Sequence, residues 1–294
     1  MKLFTLSHID VGATLFIPAT HKSLVDIVCY NKYPELKSVL IDTEDGIDEK
    51  DLDTAIHAIE SLLDFYDKKK LHLFLRPRNI QILKMFFQLK NIQKVDGFIL
   101  PKFTLHNASE YLHLLHDTNF LFMPSIEGEE LFNQQSLHNL KNLLLPFKKQ
   151  IPLLRYGLED MLRQLSMKRS CEESIFDYAA TASVLGQFIA IFKSSGFFVS
   201  GGVYPCFNDE EGFIKDVKRD LKEGLFGKTL IHPRQIKIAN ELYRVTQVEY
   251  NEALEILESE KAVFNQNSKM AETQTMSPFA REILQRKEVY GLVK

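Results

Sequence analysis

Glu127 and Asp160 each stand at the end of a short apolar run and close to a glycine, and two carboxylates so placed can hold a hard divalent cation. Glu127 closes Phe120–Ile126 and precedes Gly128, while Asp160 follows Leu153–Tyr156 and Gly157. Oxygen ligands of this kind suit magnesium, or manganese, ions that keep several waters and leave coordination positions for a substrate. Acids are common on protein surfaces, so the pair alone says little. Cations end other runs: Arg76 and Arg78 in HLFLRPRN, Lys102 in GFILPKF and Arg155 in IPLLRYGLED. Arg76 is expected to grip a carboxylate or carbonyl oxygen with its planar fork, which a lysine cannot reproduce. Arg78 competes for that role because strand alternation points it the same way. Lys102 and Arg155 are further candidates for substrate binding, Arg155 for a second anionic group. Asp42, Glu44 and Asp45 crowd four positions and repel one another unless cations offset them; Glu44 and Asp45 are candidate proton acceptors. His232 is given no proton-transfer role, since a lone histidine more often packs or hydrogen-bonds.

These residues share a position in a repeating pattern. Eight apolar runs, 14–19, 38–45, 72–79, 97–103, 120–128, 151–160, 197–204 and 227–233, alternate with stretches long enough for a helix. Some of those stretches carry apolar residues at helical spacing, as in Leu52, Ile56, Ile59 and Leu63. Eight alternations of strand and helix predict a parallel sheet closed into a (β/α)8 TIM barrel, whose active site lies where the strands end. The barrel is expected over residues 1–245, followed by a helical C-terminal extension over 246–294. In that extension Gln247–Phe264 has helical spacing, Asn265–Ser277 reads as a polar interruption, and Pro278 as a helix start.

A net charge of −3 excludes a global electrostatic reason to bind nucleic acid or an anionic membrane. The longest mostly apolar stretch, Ala179–Phe192, is too short to span a bilayer and reads as a buried barrel helix. The first residues lack the long apolar segment of a secretory leader. Cys29, Cys171 and Cys206 are scattered without metal-ligand spacing, which predicts no oxidised framework and a cytoplasmic setting.

The segments LFIPA, VLIDTEDGI, FLRPRN, GFILPK, SIEG, YGLEDM and GKTLIHPRQI occur in one order over most of residues 14–245. In these the chain resembles the HpcH/HpaI aldolase and citrate lyase beta-subunit superfamily of metal-dependent barrels. LRYGLEDMLR, with Met270–Glu272, Phe279-Ala280-Arg281 and Tyr290-Gly291, is most similar to its carbon-carbon bond lyase branch associated with tellurium-resistance operons. The resemblance implies magnesium on Glu127 and Asp160, substrate on Arg76, and active-site acids at Glu44 and Asp45. It also implies a homo-oligomer in which the C-terminal part reaches a neighbouring active site, with Glu272 a contributor. Where citrate lyase relatives commonly carry an aspartate before a glycine, this chain has Ser200-Gly201-Gly202, which leaves the use of a coenzyme A thioester open.

The expected function is that of a magnesium-dependent carbon-carbon lyase, making or breaking a bond through an enolate in a carboxylated oxo or hydroxy acid. The metal and Arg76 would serve as the sink for developing negative charge. One rival is a lyase or transferase of a phosphorylated enol acid, with Arg155 and Lys102 on the phosphate. The other is a catalytically silent barrel that acts as a binding or scaffold subunit.

Overall fold

The computed structural model describes residues 6–67 and 71–293, so the extreme start, on which the reading of the leader partly rests, lies outside the described residues. Seven parallel strands lie in the spatial order β6-β5-β4-β3-β2-β1-β7. They are β1 Ala13–Pro18, β2 Ser38–Asp42, β3 His72–Arg76, β4 Gly97–Leu100, β5 Leu121–Ile126, β6 Arg155–Tyr156 and β7 Lys228–Leu230. The two edges, β6 and β7, are joined through residues 199–201: Leu154 bridges Val199 and Gly201 bridges Lys228, both in parallel sense. The Leu154 N–H donates to Phe198 O, Ser200 N–H to Leu154 O, and Gly201 N–H to Gly227 O. The expected seventh strand is therefore a three-residue patch, and it completes the ring.

Period-two alternation sends every second side chain into the ring. Its lower part is apolar, with Val11, Leu40, Phe74, Ile99, Leu121, Met123 and Leu153 packed as one cluster and Phe16 against it. Two residues further along their strands, Leu40 gives way to Asp42, Phe74 to Arg76, Met123 to Ser125 and Leu153 to Arg155. The same alternation that fills the barrel thus lifts polar groups to its mouth.

Helices follow the strands and bury one face. Leu52–Phe65 buries Ala55, Ile56, Ile59, Leu62 and Leu63, the stripe its spacing predicted. Asn79, Asn133 and Asp209 start later helices by accepting the N–H of Ile82, Ser136 and Gly212. Ala179–Ser194 buries Thr181, Leu185, Phe188, Ile191 and Phe192 on one side and leaves Ala180, Ser183 and Gln187 exposed, so it is amphipathic rather than buried all round. Among the described residues no helix is long and apolar enough to cross a membrane.

Chain contacts divide the molecule into one compact unit ending at Ile236 and a second from Lys237. Two features of the sequence reading are corrected. The extension is not helical throughout: Val263–Gln266 and Lys269–Glu272 pair as an antiparallel hairpin between helices Gln247–Glu258 and Thr273–Tyr290. Asn267 and Ser268 turn it with φ of 49° and 64°, the left-handed pair that a two-residue hairpin demands. Helix Thr273–Tyr290 begins five residues before Pro278 and contains it, with Ser277 Oγ donating to Thr273 O nearby. Second, Cys171 and Cys206 form a disulfide, with Cα atoms 6.1 Å apart across 35 residues of sequence. Spacing along the chain does not reveal a pair brought together by two loops, and the cysteines no longer argue for a reducing setting.

Candidate active site at the strand ends

One cavity of about 200 Å³ opens at the C-terminal ends of the strands, lined among others by Phe16, Asp45, Arg76, Ser125, Glu127, Arg155 and Asp160. They come from β1, β2, β3, β5 and β6 or the segments after them, with Ser125 and Glu127 sharing the end of β5 and Arg155 and Asp160 belonging to β6 and the helix that follows it. The ring closure brings these distant positions together.

Arg76 is held firmly. Its Nε and Nη2 donate to the two oxygens of Asp42 at 2.6 and 2.8 Å, and Nη1 lies 3.0 Å from Glu44 Oε2. Two of five N–H donors are thereby committed, the Glu44 contact being an ion pair, and three remain. Burial disfavours its charge, but the Asp42 hydrogen bonds and the charges of Asp42, Glu44 and Asp45 outweigh that and push its pKa further up. Asp42 also accepts the N–H groups of Glu44 and Gly46, at 2.9 and 3.0 Å, and so shapes the acid loop it precedes. Sequence reading placed Asp42 in the acid cluster without a role; a strand-end arginine needing a counter-charge was the available signal.

The two candidate bases separate. Glu44 is buried, pairs with Arg76 and Lys102, and is not among the residues lining the cavity. Burial raises its pKa against the pull of Arg76 and Lys102. Asp45 lines the cavity with its side chain 61% exposed, 3.2 Å from Lys102 Nζ. Partial burial works against its charge, yet the hydrogen bond and charge of Lys102 prevail and lower its pKa.

Lys102 and Arg78 lie outside the lining. Lys102 has a φ of 46°, a left-handed conformation uncommon for a side-chain-bearing residue, and that turn lets its N–H donate to Glu127 Oε1. Arg78 donates instead to the main-chain carbonyls of Thr43, Glu44 and Ile47, clamping the acid loop from behind. Arg155 is buried, 3% exposed, and donates to the hydroxyls of Thr229 and Thr14 at 3.1 and 3.0 Å, residues of β7 and β1. These threonines, Ser125 and Phe16 were not singled out from sequence; small hydroxyls and a core phenylalanine carry no chemical signature until the barrel assembles them.

Glu127 is 7% exposed, accepts from Ser125 Oγ at 3.2 Å, and lies against the end of β6. A Cβ added at Gly157 would meet Glu127 Oε2 at 2.1 Å, so the glycine makes room for the carboxylate. Burial pushes the Glu127 pKa up to about 7, with the charges of Glu44 and Asp160 adding to the rise. Asp160, two residues into helix Leu158–Gln164, takes Arg163 on Oδ1 at 2.7 Å. Among the described residues no three histidine, cysteine or acidic side chains group as metal ligands. The cavity therefore does not suit an ion that needs a closed protein cage. Two carboxylates in an acid-rich hollow do suit magnesium, which accepts one or two and completes its shell with water and substrate. His232 stacks on Phe207 at 4.8 Å and Glu272 accepts from Thr275 Oγ1; neither lines the cavity.

A family model described as C-C_Bond_Lyase of the TIM-Barrel fold matches residues 5–292. The citrate lyase subunit beta of Haemophilus influenzae is 25% identical over 257 residues, 83% of this chain and 84% of that protein. Among solved structures, CitE of Mycobacterium tuberculosis in complex with magnesium, acetoacetate and coenzyme A superposes with a TM-score of 0.68 at 17% identity, over 97% of this chain and all of that one. A citrate lyase from Burkholderia xenovorans gives a TM-score of 0.74 at 15% identity, over 96% and 93% of the two chains. At these identities the structural likenesses speak for the fold.

Proposed function

We propose that this chain, which belongs to the C-C bond lyase family of the TIM-barrel fold, cleaves or forms a carbon-carbon bond in a small carboxylated oxo or hydroxy acid. The observation that carries the reading is one cavity in which two guanidinium groups, Arg76 and Arg155, stand with the carboxylates of Glu127, Asp160 and Asp45. Breaking a bond next to a carbonyl leaves an electron pair on carbon, and the site must accommodate that charge. Glu127 and Asp160 would hold a magnesium ion, as the magnesium-bound relative from M. tuberculosis suggests; when bound it supplies Lewis-acid polarisation of the substrate's oxygens.

The chain's own residues do the rest. Arg76, oriented by Asp42 and Glu44, offers its remaining N–H groups to a carbonyl or carboxylate oxygen. Asp45, kept ionised by Lys102, is the acid of the second loop that faces the cavity and is placed to take a proton from a substrate hydroxyl. Glu44 acts on Arg76 rather than on substrate. Arg78 and Lys102 hold the acid loop. We further propose a homo-oligomer, in keeping with the exposed Val248, Val263, Met270 and Phe279 of the C-terminal unit.

Titration calorimetry with magnesium chloride tests the metal assignment. Glu127→Ala and Asp160→Ala should each abolish tight binding while far-UV circular dichroism stays unchanged, because each removes half of the protein ligands. Unaltered magnesium affinity in both variants would remove the site.

A further inference from the structure

Two guanidinium groups face the same phenyl ring. The Arg76 guanidinium carbon lies 5.4 Å from the centroid of Phe16, and that of Arg155 lies 5.5 Å from it. Both distances fall within cation–π range. All three residues line the cavity. They belong to three strands, β3, β6 and β1, and each cation is fixed by other strands or the loops after them: Arg76 by Asp42 and Glu44, Arg155 by the hydroxyls of Thr14 and Thr229. Thr14 sits two residues before Phe16 on β1 and also accepts the Ser38 hydroxyl at 2.9 Å, so the strand that carries the ring is tied to the strand beside it and to Arg155. The ring itself rests on the apolar cluster in the barrel.

We infer that Phe16 is a specificity-determining residue that sets the length of a substrate with a carboxylate at each end, one on Arg76 and the other on Arg155. The inference deepens the lyase reading of this cavity and rests on it. Anchors on separate strands cannot slide together to suit a shorter chain, and the ring that both guanidinium groups approach occupies space beside them that a longer, bent one would need. Phe16 and Ile99 give the lining an apolar stretch suited to the aliphatic carbons in between. Asp45, an acid of this lining outside the proposed metal pair, repels a carboxylate placed beside it, whereas Arg76 and Arg155 attract one. A volume of about 200 Å³ is below that of pockets for drug-sized ligands and fits a small acid.

Calorimetric titration in magnesium chloride with malonate, succinate, glutarate and butyrate tests this on the full-length chain. Succinate and butyrate match in carbon count and differ by one carboxylate. Wild type should bind succinate about tenfold or more tightly than butyrate, the worth of one charge-assisted contact. Arg155→Lys, checked for folding by circular dichroism, should erase most of that ratio through weaker binding of succinate. Within the dicarboxylates one length should bind best. Phe16→Leu and Phe16→Met, each checked for folding by circular dichroism, should shift or flatten that preference, whereas Phe16→Tyr, which keeps the ring, should retain it. Equal binding of succinate and butyrate by wild type, or the same length preference in the Leu and Met variants, would overturn the inference. Magnesium binding lost in Glu127→Ala alongside either result would leave the lyase reading standing, so the two can fail separately.

Discussion

At the scale of single residues, Asp42 decides how Arg76 can act. Asp42→Ala removes two hydrogen bonds from a partly buried guanidinium that keeps its ion pair with Glu44, and should cost about 1–3 kcal/mol of stability by urea denaturation. Arg76→Lys keeps the charge but loses the fork, so it should lower oxo-acid affinity or turnover strongly with a much smaller change in the denaturation midpoint. If Arg78→Lys impairs oxo-acid binding and Arg76→Lys does not, the roles given to the two arginines are reversed. That Arg76, Glu127 and Asp160 meet at one cavity was legible in the sequence, because each follows an apolar run at the same end of the barrel. Asp42, Phe16, Thr14 and Thr229 were not, because their importance lies in what they touch across the barrel. The choice between Glu44 and Asp45 was equally out of reach: adjacent acids in one loop differ in burial and in their share of Arg76 only once the barrel has assembled.

At the scale of elements, the alternation of apolar runs and helical stretches made the barrel visible, but segment lengths were not. The seventh strand is confined to residues 199–201, where a Cβ at Gly201 would meet Asp220 Oδ2 at 1.9 Å, so the carboxylate of helix Glu210–Lys222 packs directly on its backbone. The hairpin at 263–272 escaped notice because its strands are four residues each and lie in a segment rich in polar residues. The Cys171–Cys206 link joins the loop after helix Leu158–Gln164 to the loop after residues 199–201. Thiol titration in denaturant without reductant should find one free thiol per chain, Cys29, and three after reduction. Three thiols in both states would exclude the disulfide. The short helix His8–Val11 carries a different sensitivity. His8 stacks on Phe198 at 3.4 Å, and burial, followed by the charge of Lys193, lowers its pKa from 6.5 to about 3. Its folded form is neutral while the unfolded chain takes up a proton below pH 6.5, so its contribution to stability is full above that pH and declines as pH falls toward 3. His8→Phe, which keeps a flat ring, should reduce the loss of stability between pH 7 and pH 5 in urea titrations; an identical pH profile would rule His8 out as its source.

At the scale of the whole molecule, the net charge of −3 hides a strongly organised interior, with cations and acids gathered at one mouth of a barrel whose opposite end is apolar. Family membership was legible because seven motif fragments recur in order along most of the chain, each tied to a strand end. The substrate was not legible, since it depends on distances between strands that no linear pattern encodes. The C-terminal unit from Lys237 has its own core of Val245, Ala253, Ile256, Ala280 and Ile283. Truncation before Gln247 should lower the mass of the assembly in light scattering, and an unchanged mass would show that the unit does not mediate association. The central claim is that this cavity stabilises negative charge on carbon next to a carbonyl. It is tested most directly by following the α-protons of pyruvate, 2-oxobutyrate and oxaloacetate by proton NMR in deuterium oxide with magnesium present. The expected result is protein-dependent exchange of these protons for deuterium with at least one acid, lost in Glu127→Ala and strongly reduced in Arg76→Lys. Exchange at the background rate with all three acids, or exchange that persists in both variants, would contradict it.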